Sequence, residues 1–188
     1  MLKFITGNKS KIKEAQSILA PNKILPVNID LTEIQDIDPR KIIAHKLKEA
    51  LKFQKGPLFV DDSSLFLGCF NFKLPGPFIK WFNEYVGMQG IADLAKNMKN
   101  NKAKAVTLIG YAENPRKILF FEGVLKGKIV PPKGGYGFGY DPIFIPEGKK
   151  QTLAEIKASG DFSYSPRAVA LNKLRRYLKK DQTVRNTK

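Results

Sequence analysis

Four clusters in this sequence have residue types that could do chemistry, and the most acidic of them is Asp61-Asp62, which directly follows a short apolar run. Adjacent carboxylates at the end of a strand repel each other and lose hydration, so a cation that compensates them would explain the pair. Mg²⁺ prefers carboxylate oxygens, water and substrate phosphates, and this pair could supply the carboxylates. The alternative is an aspartate-rich turn that caps a helix. Glu33 is an isolated acid in a predicted loop, and only the fold could bring it near Asp62.

The second cluster has the composition of a phosphate-binding turn. It consists of Thr6, Gly7, Asn8, Lys9, Ser10 and Lys11. A strand that ends in glycine and opens a helix exposes backbone N–H groups at the positive end of the helix dipole, and Lys11 adds a cation one turn later. Such turns are common, and Asn8 could equally be an ordinary N-cap. The glycine-lysine spacing of a Walker loop is missing.

The third cluster is the glycine-rich segment 134–142, and the fourth is Ser165-Pro166-Arg167. Glycines let a backbone approach a flat ligand, and Phe138 or Tyr140 could stack on a base. A flexible hairpin tip is the alternative for this segment. Arg167 would lie in the first turn of a helix, where it could donate to a carbonyl group or simply lie on the surface.

The elements that must position these clusters alternate between strands and helices. Apolar and β-rich runs predict strands over residues 2–6, 24–29, 57–60, 103–112, 117–130 and 141–145. Helical spacing, N-caps and prolines at first helical positions predict helices over 9–19, from 39 to about 53, through 81 and 85, over 91–98 and from 165 to about 180. This mixture predicts an α/β or α+β class with a mixed sheet.

Length and composition limit the possible classes. The 188 residues suit one domain, or two lobes that share a core, predicted here as 1–180 with a frayed tail at 181–188. Apolar runs such as 105–112 are too short to span a membrane, and the N-terminus lacks the pattern of a signal peptide. Cys69 is the single cysteine, so no intramolecular disulfide can form, which fits a reducing cytosol.

The formal net charge of +16 permits two interpretations. One is a nucleic-acid-binding surface, and the other is a solvated lysine-rich surface with a pocket for a polyanionic substrate. The lysines are dispersed along the chain, and the densest basic group, 173–180, falls near the end of a predicted helix, where cations are favoured. Together with the acidic pair, this dispersion disfavours nucleic acid as the partner.

Taken together and in this order, the clusters resemble the inosine/xanthosine triphosphate pyrophosphatase family, the house-cleaning nucleotide hydrolases. The resemblance covers nearly the whole chain, from Thr6 to about Leu178. Its most specific segments are Leu74-Pro75-Gly76-Pro77 with the downstream Lys80-Trp81-Phe82, and Gly137-Phe138-Gly139-Tyr140-Asp141-Pro142.

The resemblance implies an elongated mixed-sheet α/β fold in which two lobes flank a central cleft. It also implies a cytoplasmic homodimer that cleaves a purine nucleoside triphosphate to the monophosphate and pyrophosphate with Mg²⁺. Asp62 would bind Mg²⁺ and act as general base toward the attacking water, and Glu33 would be the second metal-associated acid. Water attack at the α-phosphorus expels pyrophosphate, and Mg²⁺ and lysines stabilise the negative charge that grows on it.

The same resemblance assigns the substrate contacts. The 6–11 segment would hold the triphosphate, and the remaining contacts would come from Ser63, Lys46, Lys80, Phe138, Gly139, Tyr140, Asp141 and Arg167. Phe138 to Asp141 would sandwich the base.

The sequence departs from the family at two positions that normally donate hydrogen bonds to the base. The family's lysine is replaced by Asp161, and the histidine of its Ser-His-Arg motif is replaced by Pro166. Proline suits a helix start but has no side-chain donor. Arg167 remains, and Lys157 is a lysine that could reach in as a substitute. We therefore expect altered or relaxed base selectivity, or reduced activity. A nucleotide-binding relative with weak or no catalysis and a relative that acts on modified pyrimidines stay open as alternatives.

Overall fold

Strands and helices alternate along most of the chain in a computed structural model that describes residues 1–135 and 139–186. The strands are β1 (Leu2–Ile5), β2 (Ile24–Val27), β3 (Leu58–Leu67), β4 (Pro75–Gly76), β5 (Lys102–Asn114), β6 (Lys117–Ile129) and β7 (Phe144–Pro146). The helices are α1 (Lys9–Leu19), α2 (Pro39–Phe53), α3 (Ile79–Tyr85), α4 (Gly87–Asn97), α5 (Leu153–Ala158) and α6 (Pro166–Asn186). Short 3₁₀ turns cover Gly68–Phe70 and Asp141–Ile143.

Within the described residues, all these strands belong to one mixed sheet in the order β2-β1-β3-β5-β6-β7, with β4 paired to β3 outside that path. β1 runs parallel to β2 and β3, whereas the β3–β5, β5–β6 and β6–β7 pairs are antiparallel. β3 pairs with β5 in an unbroken register from Leu58 opposite Ala112 to Leu67 opposite Ala103. The mixed sheet expected from the sequence is confirmed, and β3 is its central strand.

Three clusters of buried apolar side chains hold the helices against this sheet. One packs α1 and α6 on the face that carries Phe59, and the second packs α2 on the face that carries Val60. The third joins α3 and α4 to the far half of β3. Since successive side chains of a strand point to opposite faces, Asp61 is directed toward α1 and α6, and Asp62 toward α2.

Polar caps start the helices where the sequence predicts them. The Asn8 side chain accepts hydrogen bonds from the backbone N–H groups of Ser10 and Lys11 and starts α1. The Asp38 carboxylate accepts the N–H of Arg40 at the start of α2, where proline is the first helical residue.

Several element boundaries differ from the sequence prediction, and three of these differences are informative. The strand predicted over 57–60 continues to Leu67, because Asp61, Asp62 and Ser63 find partners on the helices and across the sheet. The strand predicted over 141–145 begins as a 3₁₀ turn at Asp141 and becomes β7 at Phe144. The tail predicted to fray from residue 181 instead extends α6 to Asn186, and Lys117 Nζ lies 3.3 Å from an Asp181 carboxylate oxygen.

Gly123 of β6 lies directly beneath the start of α6. A Cβ atom at this position would lie 1.9 Å from the Pro166 carbonyl oxygen and 2.7 Å from the Ala170 nitrogen. We expect Gly123→Ala to lower the free energy of unfolding by about 3 kcal/mol, because backbone atoms of α6 must move to admit the methyl group. Urea unfolding measures the change. Gly135→Ala is the matched control, since no described atom outside its chain neighbours lies within 4 Å of its added Cβ. Equal stabilities of the two variants would contradict this close packing.

Candidate active site

A cleft of about 500 Å³ opens beside the end of β1 and the middle of β3. It brings together most residues that the sequence singled out: Thr6, Gly7, Asn8, Lys11, Glu33, Lys46, Asp62, Ser63, Lys80, Gly139, Tyr140, Asp141 and Arg167. Lys9 and Ser10 are described but do not line the cleft, so they are not placed to touch a ligand there. Phe138 lies outside the described residues. Lys11, Glu33 and Asp62 thus share one cleft, as the metal-assisted triphosphate hydrolysis implied by the family resemblance requires.

Some polar groups of the turn before α1 form hydrogen bonds within the turn itself. The N–H of Asn8 donates to the Thr6 hydroxyl oxygen, and the Asn8 side chain accepts the N–H groups of Ser10 and Lys11. Asn8 is therefore the N-cap that the sequence offered as an alternative, and it occupies two of the N–H groups expected to face phosphate. Thr6, Gly7, Asn8 and Lys11 are the residues of this segment that line the cleft.

Asp61 is a buried carboxylate that is paired with two side-chain cations. Its side chain is 2% exposed and receives Lys11 Nζ at 2.9 Å and Arg167 Nε at 2.7 Å. Burial alone would raise the pKa of Asp61, but the charges and hydrogen bonds of Lys11 and Arg167 hold it well below its usual range. Lys11 and Arg167 thus compensate the charge of Asp61, and its burial is explained without a bound metal ion. The alternative of an aspartate-rich turn is wrong, since both residues lie inside β3.

Arg167 is anchored at the first turn of α6, and the alternative that it lies on the surface is wrong. Its guanidinium is 7% exposed and donates to Glu14 at 2.7 Å and to the Ser63 hydroxyl at 3.1 Å, in addition to Asp61. The Ser165 hydroxyl donates to Glu14 and accepts the N–H of Ala168 at 2.9 Å. This network joins α1, β3 and α6 beneath the cleft.

Glu14 is the member of this network that sequence reasoning missed. It is a charged residue that is 1% exposed on the buried side of α1. Its signal in the sequence is its spacing, since it lies three residues after Lys11 and four before the buried Ile18, which places an acid on the apolar face of the helix. A buried carboxylate requires a partner, and Arg167 supplies it.

Asp62 and Glu33 meet at one cationic position, which Lys46 of α2 occupies. Lys46 Nζ lies 2.8 Å from a Glu33 oxygen and 3.6 Å from an Asp62 oxygen. Burial would lower the pKa of Lys46, but Asp62 and Glu33 outweigh that effect and raise it, so the ammonium stays charged. Burial raises the pKa of Asp62 despite the opposing charges of Lys46 and Lys11. Asp62 is therefore the more basic of the two neighbouring aspartates.

Another part of the wall is formed by the Asp141–Ile143 turn and α5. Lys157 Nζ of α5 donates to an Asp141 carboxylate oxygen at 2.8 Å, and both residues line the cleft. Asp161 does not line it, because its carboxylate accepts the N–H and hydroxyl of Ser163 on the surface. Lys157 thus reaches the cleft from a helix that the sequence analysis did not predict.

Two aromatic residues, Tyr140 and Trp81, line other parts of the cleft. Tyr140 packs in the apolar cluster of α3 and α4, edge-on to Phe144, and only part of it reaches the cleft. Trp81 of α3 donates from Nε1 to the Gln35 side chain at 3.3 Å. This bond links α3 to the loop that carries Glu33, and Lys80 Nζ lies 5.4 Å from the Trp81 ring centroid.

Neither a complete protein metal cage nor a membrane segment is found in the described part of the chain. No group of three or more His, Cys, Asp or Glu side chains there could hold a metal ion. No described helix is both long enough and apolar enough to cross a membrane. A cation at Asp62 and Glu33 would therefore need further ligands from water or from a bound molecule.

Comparison with known proteins gives consistent matches over nearly the whole chain. A model of the Ham1 family matches residues 2–177. The inosine triphosphate pyrophosphatase of Scheffersomyces stipitis is 38% identical over 188 residues, which cover 93% of this chain and 96% of that protein. The protein of the same name from Schizosaccharomyces pombe is 38% identical over 181 residues and 95% of each chain. The solved structure of a HAM1 protein from Coxiella burnetii superposes with a TM-score of 0.81 at 25% identity, over 95% of this chain and 98% of that one.

Proposed function

This chain belongs to the Ham1 family, and on that premise we propose that it hydrolyses inosine- and xanthosine-type triphosphates (ITP, dITP and XTP) to the monophosphate and pyrophosphate. The observation that carries the proposal is the meeting of Glu33 and Asp62 at one cationic position, in the same cleft as Lys11. A triphosphate is the ligand whose charge suits this cleft, because lysines line it and the carboxylates of Glu33 and Asp62 would hold a divalent cation that offsets part of the phosphate charge.

The carboxylates of Asp62 and Glu33 fit Mg²⁺. The ammonium of Lys46 lies between them, which supports a position for a cation, and their oxygens are the ligands this ion prefers. Since no third acid joins them among the described residues, the remaining ligands would be water and phosphate oxygens. When bound, Mg²⁺ would neutralise charge on the triphosphate and on the leaving pyrophosphate. Lys46 would then exchange its carboxylate contacts for phosphate oxygens of the nucleotide.

Asp62 would take the proton of the attacking water. A general base works best when its pKa is raised toward the working pH, and burial raises that of Asp62. The water oxygen bonds to the α-phosphorus, the bond from that phosphorus to the bridging oxygen breaks, and the electron pair leaves with pyrophosphate. Lys11, held at 2.9 Å by Asp61, is a fixed cation for the phosphates.

We expect hydrolysis of ITP and XTP to release pyrophosphate, to stop when EDTA removes divalent ions and to return when Mg²⁺ is added in excess. The physical reason is that Asp62 and Glu33 carry negative charge, as the triphosphate does, so a divalent cation is needed to offset their repulsion. Product analysis by ion-exchange chromatography, with and without an inorganic pyrophosphatase, checks the result. Release of orthophosphate and a nucleoside diphosphate would contradict attack at the α-phosphorus. Full activity in EDTA would contradict the metal assignment.

The cytoplasmic location and the homodimer expected from the family resemblance remain proposals. Sedimentation equilibrium of the purified chain tests the dimer directly.

A gel-shift with duplex DNA at moderate salt tests the rival nucleic-acid function, which predicts steeply salt-dependent binding.

A further inference from the structure

We infer, on the premise of the function proposed above, that Lys157 and Asp141 form a donor–acceptor pair that reads the edge of the purine ring. They would select a 6-oxopurine over adenine. This assigns base selection to a lysine of α5, which the family resemblance does not include among its base contacts.

The pair is built into the wall of the cleft. The side chains of Lys157 and Asp141 are 15% and 5% exposed, and Lys157 Nζ lies 2.8 Å from the Asp141 oxygen. A capping box at the start of α5 holds the helix, in which Thr152 accepts the N–H of Glu155 and Glu155 accepts the N–H of Thr152. The Thr152 hydroxyl also donates to the carbonyl of Lys133 at 3.2 Å. Lys157 is therefore presented from a fixed element.

Three other cations of the cleft already have polar partners, and a fourth, Lys80, lies over the Trp81 ring. Lys11 pairs with Asp61, and Lys46 pairs with Glu33 and Asp62. The Arg167 guanidinium donates to two carboxylates and a hydroxyl. Three of its N–H groups are thus taken. The Lys157 ammonium has three N–H groups, and within residues 1–135 and 139–186 it uses one of them, on Asp141, so that two can donate to a ligand.

The polarity of the pair matches one class of purine. Hypoxanthine and xanthine carry an acceptor at position 6 and an N–H at position 1, so the ammonium can donate to the first and the carboxylate can accept the second. Adenine carries a donor at position 6 and an acceptor at position 1, so both contacts would oppose like groups. A site built from such polar groups discriminates strongly against a base that leaves them unpaired. Guanine shares both groups with hypoxanthine, so this pair would not reject it.

The two departures from the family pattern agree with this assignment. Asp161 lies on the surface, and Pro166 lines the cleft without a side-chain donor. Lys157 supplies the cation that these two positions lack. The chain would therefore keep the preference for 6-oxopurines, where the sequence alone predicts its relaxation.

The test compares kcat/KM for ITP, GTP and ATP in the full-length wild type, Lys157→Met and Asp141→Asn. We expect Lys157→Met to lower the ITP:ATP ratio by about 10- to 100-fold, the range for one polar contact pair to a base edge, and to lower GTP turnover in parallel with ITP. Asp141→Asn replaces an acceptor by an amide that can donate to N1 of adenine, so the ratio falls again. Lys126→Met is the matched control, because it removes an exposed lysine of β6 outside this cleft, and its ratio should equal that of the wild type.

Calorimetric binding of IMP and AMP in EDTA gives a second readout that needs no turnover. Loss of the preference for IMP in either variant supports the inference. The inference is overturned if Lys157→Met and Asp141→Asn both keep the wild-type ITP:ATP ratio of kcat/KM and the wild-type preference for IMP over AMP. Melting temperatures must show that both variants are folded. This outcome would leave the proposed hydrolysis intact. If the wild type cleaves no triphosphate, the proposed function fails, and equal binding of IMP and AMP by the wild type then overturns the inference too.

Discussion

Asp62→Asn is expected to reduce kcat for ITP by about 10³-fold, within the range for loss of a general base. The amide cannot take a proton from water, and it is a poorer ligand for Mg²⁺ than a carboxylate. The substitution keeps the shape of the side chain, and Lys46 keeps Glu33 as a partner at 2.8 Å. Steady-state kinetics at saturating Mg²⁺ measures the loss, and binding of IMP should be retained.

The same substitution should leave the fold intact or stabilise it. Burial raises the pKa of Asp62, so the folded protein binds a proton there more tightly than the unfolded chain does. Asp62 therefore contributes most to the free energy of unfolding at low pH, where it is protonated, and its ionised form lowers that free energy at neutral pH. Asparagine removes that cost, so the melting temperature in EDTA should equal or exceed that of the wild type. A variant that keeps normal kcat would remove Asp62 from the mechanism.

In contrast to Asp62→Asn, Asp61→Asn should destabilise the fold and lower the free energy of unfolding by about 3–5 kcal/mol. Asp61 is fully enclosed, and its two oxygens receive Lys11 and Arg167. The neutral amide would leave two cations beside one remaining acid, Glu14. Urea unfolding at pH 7 measures the loss, with Asp93→Asn, an exposed position on α4, as the control expected to change stability by less than about 0.5 kcal/mol.

The stability difference at Asp61 should depend on pH. The pKa of Asp61 is depressed in the folded protein relative to the ordinary value of 3.8, so its contribution is complete well above pH 3.8 and declines as the pH falls below it. Wild type and Asp61→Asn should therefore converge in stability under strongly acidic conditions. A difference that stays constant down to acid unfolding would show that Asp61 contributes by shape and not by charge.

Much of the site was predictable because its clusters lie at the ends of recognisable elements. Asn8 and Asp38 cap helices at the predicted positions, and the mixed sheet brings Glu33 and Asp62 into one cleft. The different fates of Asp61 and Asp62 were not predictable, because the predicted strand ended at Val60. Only a strand that continues through both residues gives them opposite faces.

The base-reading wall escaped sequence reasoning for a different reason. Helix α5 has six residues, too few for an apolar repeat to be recognised, and only its capping box marks its start. The sequence therefore pointed to Asp161, which aligns with the family's lysine, although the residue that lines the cleft is Lys157. The burial of Arg167 depends on Glu14, a partner 153 residues away in sequence. No local pattern reports a contact of that separation.

The register of β3 against β5 has a consequence for how the chain can change in length. A slip of one residue in a strand sends every following side chain to the other face. A single insertion or deletion ahead of Asp61 would thus turn one aspartate away from its guanidinium and the other out of the cleft, although no side chain had been replaced. Within β3, residue spacing is as constrained as residue identity, and natural variation in length is expected only in the loops beyond its ends.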